Sequence, residues 1–419
     1  MFQASLNTLE IAATDVAPEE YWDAARVLGL IADNLVTMDA EARPQAALAL
    51  TWQSDPNARH WQFSLRRGVK FHDGTILTPA AVAQILGTLH SSWSIRAVGD
   101  LLTIDSDEPV PGMLAELALP RNLLLRRNSD GIPIGTGAFR VAEWQQGKAL
   151  KLVANEESWS GRPFVDTVQI ELGKPQRDQA IALQLGRVDV IEVQPSASNG
   201  GPQRVQTSLP VELMALVFPA NSKAQDVHLR EALALAIDRK PIQFGLLKGT
   251  ADATGSVLPN WMTGYSNVFS TQPNPQLART VLAGSRQPAL TLSYDPLDSR
   301  SQLIAERIAL NAREIGITLQ VSLTASPDAR LVRVILPSPD PALSLRDCAR
   351  QLGLPSPAIH GHSTEDLYQA ERALLVGNPV IPLFHLPVAS SVSPRVHDWA
   401  PDRLGNWNLA EVWLEADSR

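Results

Sequence analysis

The chain has 419 residues, enough for at least two hydrophobic cores, because single cores stop growing near roughly 250–300 residues. With 36 Lys and Arg against 44 Asp and Glu, the net charge is −8 and there is no basic run or stripe, which excludes nucleic acid as the expected partner. The lone Cys348 excludes an intramolecular disulfide and a CxxC metal site, and reads as a buried structural thiol.

The opening MFQASLNTLEIAATDVAPEEYW has no cationic leader and no apolar stretch of about 7–15 residues, so it does not read as a signal peptide. No run of about 18 apolar residues predicts a membrane span. Either Met1 has replaced an export signal, or the protein stays in the cytoplasm.

In chain order, strand-like and helix-like segments alternate, which predicts an α/β fold. Leu9–Thr14 reads as a strand, followed by an amphipathic helix opened by Pro18 that carries Trp22, Ala25, Leu28 and Leu35. His60–Arg66 alternates with period two and puts Trp61, Phe63 and Leu65 on one face. Thr78 is placed to cap a helix with Pro79 at its first position, and Val82, Ile85, Leu86 and Leu89 form its stripe. Gln176–Leu185 predicts a helix stopped by Gly186, then a strand Val188–Val193.

Val211–Phe218 is a strongly apolar strand. Asp226 caps the next helix, striped by Leu229, Leu233, Ala236 and Ile237. Strand Ala289–Tyr294, helix Ser301–Ile315 with its stop at Gly316, and strand Thr318–Leu323 follow. Arg330–Leu336 reads as a strand broken by Pro337, Pro339 and Pro341; Thr364–Val376 is helical and Val380–Leu386 extended. Loops are expected at Pro195–Pro202, Gly249–Pro275 and Pro337–Pro341.

His60–Leu86, HWQFSLRRGVKFHDGTILTPAAVAQIL, resembles a signature of the family 5 extracellular solute-binding proteins, the peptide and nickel-chelate binding subunits of bacterial ABC importers. Leu65, Arg66, Gly68, Val69, Lys70, Phe71, Asp73, Gly74 and Thr78 fit it. Further blocks follow in that family's order: Gly135–Phe139 through Trp144, then Asn155, Trp159 and Gly161–Pro163; Leu185–Asp189; Leu229–Leu233 with Ala236–Asp238; and Ile304–Ile317. Physically the signature is structural: Gly74 marks a turn, Arg66 a salt bridge or cap, and Phe71 core.

The resemblance implies a two-lobed periplasmic binding protein-like fold (type II) with an extra small subdomain and a central cleft. Lobe I is then 1–220 plus 382–419, with the small subdomain at about 36–134, and lobe II is 221–381. The chain would cross near Phe218–Asn221 and return near Ile381–Leu386, and hinge closure would enclose the ligand.

In peptide-binding members an acidic residue of a W-x-x-DYPDP-like stretch holds the ligand's α-ammonium. Aligned on Pro339-Asp340-Pro341, that position is Pro337 here, the aromatic position is Ser338, and the upstream Trp is absent. Asp340 remains, as a turn former or a ligand contact. Asp15 follows the first strand, Tyr21 and Trp22 wall a cleft or pack in a core, and Asn221 sits at the expected hinge. Trp261 lies in a loop bordering the cleft in relatives, Tyr294 and Asp295 end a second-lobe strand, and Trp407 reaches in from the tail or packs.

His360 and His362 form a close pair without carboxylates, and no metal or cofactor is implied. Gly135-Thr-Gly137 lacks the third glycine of GxGxxG, and no Walker loop, GxSxG or HExxH occurs. The expectation is an importer's binding protein, not an enzyme: a monomer, periplasmic or lipid-anchored, that hands a small organic solute to an ABC transporter permease. The competing readings are the ligand-sensing domain of a cytoplasmic transcription regulator, and a hydrolase on a borrowed fold.

Overall fold

The computed structural model describes residues 8–12, 27–39, 41–145, 148–193, 204–284, 288–296, 298, 300–361 and 363–415. Its organising feature is a pair of long antiparallel strands, Arg204–Val217 and Val380–Val392. Their register shifts between Thr207 and Pro210, between Pro210 and Glu212, and between Met214 and Ala215. Pro210 has no N–H to give a ladder, so it is tolerated at such an irregularity.

One end of this ribbon joins the N-terminal part of the chain, where Val392 pairs with both Arg204 and Val190. The sheet continues through parallel Thr8–Ala12 and Thr167–Glu171 to Ala149–Ala154 and Phe139–Gln145. Its core gathers Ile31, Phe139, Val168, Ile170, Val190, Val392 and Trp399. The other end of the ribbon joins Ala329–Ile335, Leu290–Ser293 and Leu319–Val321.

Successive residues of a strand point to opposite faces, and here both faces are covered. Met214 and Leu216 pack with Leu229, Leu233, Ile304 and Ile308. Leu213 and Ala215 pack with Val334, Leu345, Leu367 and Leu374.

A separate four-stranded sheet, in the order Ala49–Ser54, His60–Leu65, Leu101–Ser106, Trp93–Val98, carries the helix Pro79–Leu89 and its own core around Phe63, Phe71, Val82 and Leu86. Thr78 caps that helix by accepting the Ala81 N–H, as the sequence predicts. Gly74 stands at φ +82°, the turn expected of it. Arg66 donates from Nε to Ala47 O at 3.4 Å, and its guanidinium lies over the Trp159 ring, 4.5 Å from the centroid, in a cation–π contact.

The Gly135–Phe139 block proves structural. Gly137 N–H donates to Ile31 O at 2.8 Å and Asn155 donates to Gly137 O at 3.0 Å. Thr136 and Trp159 both donate to Asp33 Oδ2, at 2.7 and 2.9 Å. Helices not anticipated include Pro275–Leu282, at the end of an expected loop, and Pro341–Gln351, directly after the proline-rich break.

Candidate ligand cleft

Strands Leu290–Ser293 and Ala329–Ile335 are parallel. Val217 pairs with Arg330 and Glu212 with Ile335, so the carboxyl ends of these strands point toward the register shifts of the long ribbon. Ligands of α/β folds bind outside such strand ends.

Three charged side chains meet there. Arg333 reaches Glu212 Oε2 at 3.4 Å and also bonds Asp298, which accepts from Ser301 Oγ at 2.7 Å. Burial alone would raise the Asp298 carboxyl, but Arg333 and the Arg300 and Ser301 donors hold it below the usual carboxylate range. Arg333 keeps 29% side-chain exposure, and its two buried acids offset its charge.

The second element is the turn of helix Asn260–Thr263. Trp261 donates from its indole Nε1 to Pro210 O at 2.9 Å, which ties this turn to the ribbon where its register shifts. The preceding Val257 is held from both sides. Its N–H and that of Leu258 donate to the fully buried Glu371, and its carbonyl lies 2.9 Å from His385 Nε2. The carbonyl can only accept, so His385 is the donor. Tyr265 O–H also donates to Glu371. Burial pushes the Glu371 carboxyl up to about 7 and holds His385 down to about 4.

A cavity of about 680 Å³ opens between the small four-stranded unit and helix Pro341–Gln351. Its lining includes the stacked pair His90 and Trp93, ring centroids 3.9 Å apart, with Arg121, Asp340, Arg346 and His360. That volume suits a small organic molecule.

The sequence-predicted residues divide. Tyr294 and Asp295 follow the strand that ends beside Asp298 and Arg333, and Tyr294 packs against the core. Asp340 lines the cavity while capping helix Pro341–Gln351 through the Leu343 N–H at 2.9 Å. Ser338 is 2% exposed, and its hydroxyl accepts the Asp340 N–H. Trp407 packs on Trp399, centroids 5.8 Å apart, among the core of the N-terminal sheet.

Asn221, expected at the hinge, follows the outgoing long strand. It lies past Val217, whose partners Val380 and Arg330 are at the far end of the ribbon from its register shifts. Asp15, Tyr21, Trp22 and His362 lie outside the described residues. Sequence reading missed Glu212, Asp298, Arg333 and Glu371, whose distant partners are 35 to 121 residues away.

Chemically the arrangement offers hydrogen bonds, charge and aromatic faces. Cys348 is buried, and burial pushes its thiol far up, so it is no thiolate nucleophile. Among the described residues no group of three or more His, Cys, Asp or Glu is placed to hold a metal, and no helix is long and apolar enough to cross a membrane.

Two α/β bodies joined by a two-strand ribbon, with a cleft at the strand ends, define the fold of a two-lobed solute-binding protein. The chain belongs to the bacterial extracellular solute-binding proteins of family 5, whose middle-region profile matches residues 101–334.

It is 24% identical over 337 residues to the nickel-binding periplasmic protein of Escherichia coli K12, covering 68% of this chain and 64% of that protein. It is 30% identical over 210 residues to the peptide transport periplasmic protein SapA of Salmonella typhimurium, covering 46% of this chain and 37% of that one. Among solved structures, NikA of Staphylococcus aureus with Ni(L-His)2 superposes with a TM-score of 0.85 at 17% identity over 98% of this chain and 100% of that one. AgaA of A. tumefaciens R10 with agropinic acid gives 0.81 at 19%, over 98% and 99%.

Proposed function

We propose that the chain is the substrate-binding protein of an ABC importer, which captures a small organic solute by closing two lobes and hands it to a permease. The observation that carries this is the two-strand ribbon whose register breaks beside the Trp261 turn and the Arg333 cluster. A ligand seated there that also touches the N-terminal body would favour the closed state. The hinge in this reading is Thr207–Glu212 with Leu386–Ala389, ten residues or so nearer the N-terminal sheet than Phe218–Asn221 on the outgoing crossing.

Relatives are named for nickel, peptides and agropinic acid, all small solutes carrying charge. Capture of a peptide by an acidic group at Pro337 is unavailable to this chain, and Asp340 spends one oxygen on its helix. The protein would act as a periplasmic or lipid-anchored monomer with no catalytic step.

Native mass spectrometry of the purified chain, followed by release of any bound molecule, tests this. A one-to-one small-molecule adduct on a monomer supports capture. Chemical turnover of the released compound by the protein would overturn it.

A further inference from the structure

Arg121 lies in the short turn Pro120–Asn122 beside the small four-stranded unit, and Asp347 lies 226 residues later in helix Pro341–Gln351. Arg121 forks onto Glu116 through Nε at 2.8 Å and Nη2 at 2.5 Å. Its Nη1 crosses to Asp347 Oδ1 at 2.8 Å. That oxygen also accepts from Arg350 of its own helix at 2.8 Å. Asp347 is 3% exposed, and its Oδ2 is buried without a partner among the described residues. Beside the ion pair, Leu343 packs on Ala115, Leu119 and Met38.

The two ends of this contact belong to bodies with separate cores, and the apolar patch between them is small. It can therefore part without unfolding either body. When it parts, Asp347 keeps Arg350 among the described residues, a side chain 58% exposed, while Glu116 keeps Arg121. A carboxylate buried this deeply interacts much more strongly with its cation than a surface pair does.

We propose that Arg121 and Asp347 are positioning residues for closure, a latch that draws the small unit onto helix Pro341–Gln351 and populates the closed clamp before any ligand binds. This rests on the clamp reading above. A pre-populated closed state reduces the differential affinity that a ligand must supply.

The test is a distance distribution by double electron–electron resonance on ligand-stripped full-length protein, labelled through Asp107→Cys and Arg372→Cys, both exposed positions in the two bodies. Cys348 is buried and stays unlabelled in the folded chain. The wild-type background should show a dominant short distance. Arg121→Gln and Asp347→Asn should each raise the open-to-closed ratio about tenfold, the double variant no further than either alone, because they remove one interaction.

Asp347→Glu should restore part of the closed population, and Arg350→Ala should leave it unchanged. Should Asp347→Asn fail to fold, Arg121→Gln, in a side chain 33% exposed, reads the same contact. Unaltered distributions in Arg121→Gln and Asp347→Asn overturn the latch. So does opening by Arg350→Ala equal to that of Arg121→Gln, which assigns the effect to helix stability. One fixed distance in every variant, at every ligand condition, removes the clamp reading itself.

Discussion

Glu371 and His385 grip the same peptide unit, and their protons respond to pH in opposite senses. Burial raises Glu371 from 4.5 to about 7, so between those values the folded chain holds a proton that the unfolded chain has released. Its contribution to stability is full below about 4.5 and is lost as pH rises through about 7. His385 falls from 6.5 to about 4, so its contribution is present above about 6.5 and is lost as pH falls through about 4. The two slopes oppose between about 4.5 and 6.5. The Tm difference between wild type and Glu371→Gln, followed by thermal melts across pH, should therefore fall steadily from pH 4.5 to 7. A difference that stays flat would mean that Glu371 does not carry the proton. At Gly137 the constraint is steric. An added Cβ would lie 2.6 Å from the Ile31 carbonyl carbon and 2.7 Å from Leu30 O, both backbone atoms that cannot swing aside. Gly137→Ala should cost about 3 kcal/mol or more in urea unfolding, as overpacking against rigid atoms does. Gly74→Ala, at φ +82° in open space, should cost only about 1–2 kcal/mol.

Elements announced by their ends were legible in the sequence. Thr78 with Pro79, Asp226 and Gly316 mark helix boundaries through caps and stops that act within one turn. Helix Pro341–Gln351 was not legible, because it buries Ser344 and Asp347 along with Leu343, Leu345 and Cys348, which breaks the apolar stripe. The half of strand Arg204–Val217 before Pro210 was hidden by polar, partly exposed residues. Of the candidate site, Trp261 and Asp340 were proposed from the family's blocks and Tyr294 from its place at the end of a strand. Arg333, Glu212 and Asp298 were not, since only strand pairing unites residues so distant in the chain. At this scale the Trp261 turn and the tail Trp407 should separate experimentally. Trp261→Ala should weaken binding of the solute recovered by mass spectrometry about tenfold in calorimetry, as loss of an aromatic anchor does. Trp407→Ala, which strips packing from Trp399, should lower Tm with little change in affinity. Equal losses of affinity would remove the site assignment of Trp261.

For the whole molecule, the ribbon ties opposite ends of the chain together. Val190 and Arg204 both pair with Val392, and Trp399 packs in the same core as Ile31 and Phe139. The N-terminal sheet therefore lacks a strand and part of its core until residues 389–399 are available. Contacts of such long sequence separation make folding slow, since the loop must close before pairing is rewarded. A chain leaving the ribosome cannot complete the N-terminal sheet first; the sheet stays incompletely paired, with an open edge, until Val392 has emerged. That delay leaves a window in which a chaperone can hold the polypeptide unfolded, and truncation anywhere before about residue 390 should yield an aggregating product rather than a smaller folded one.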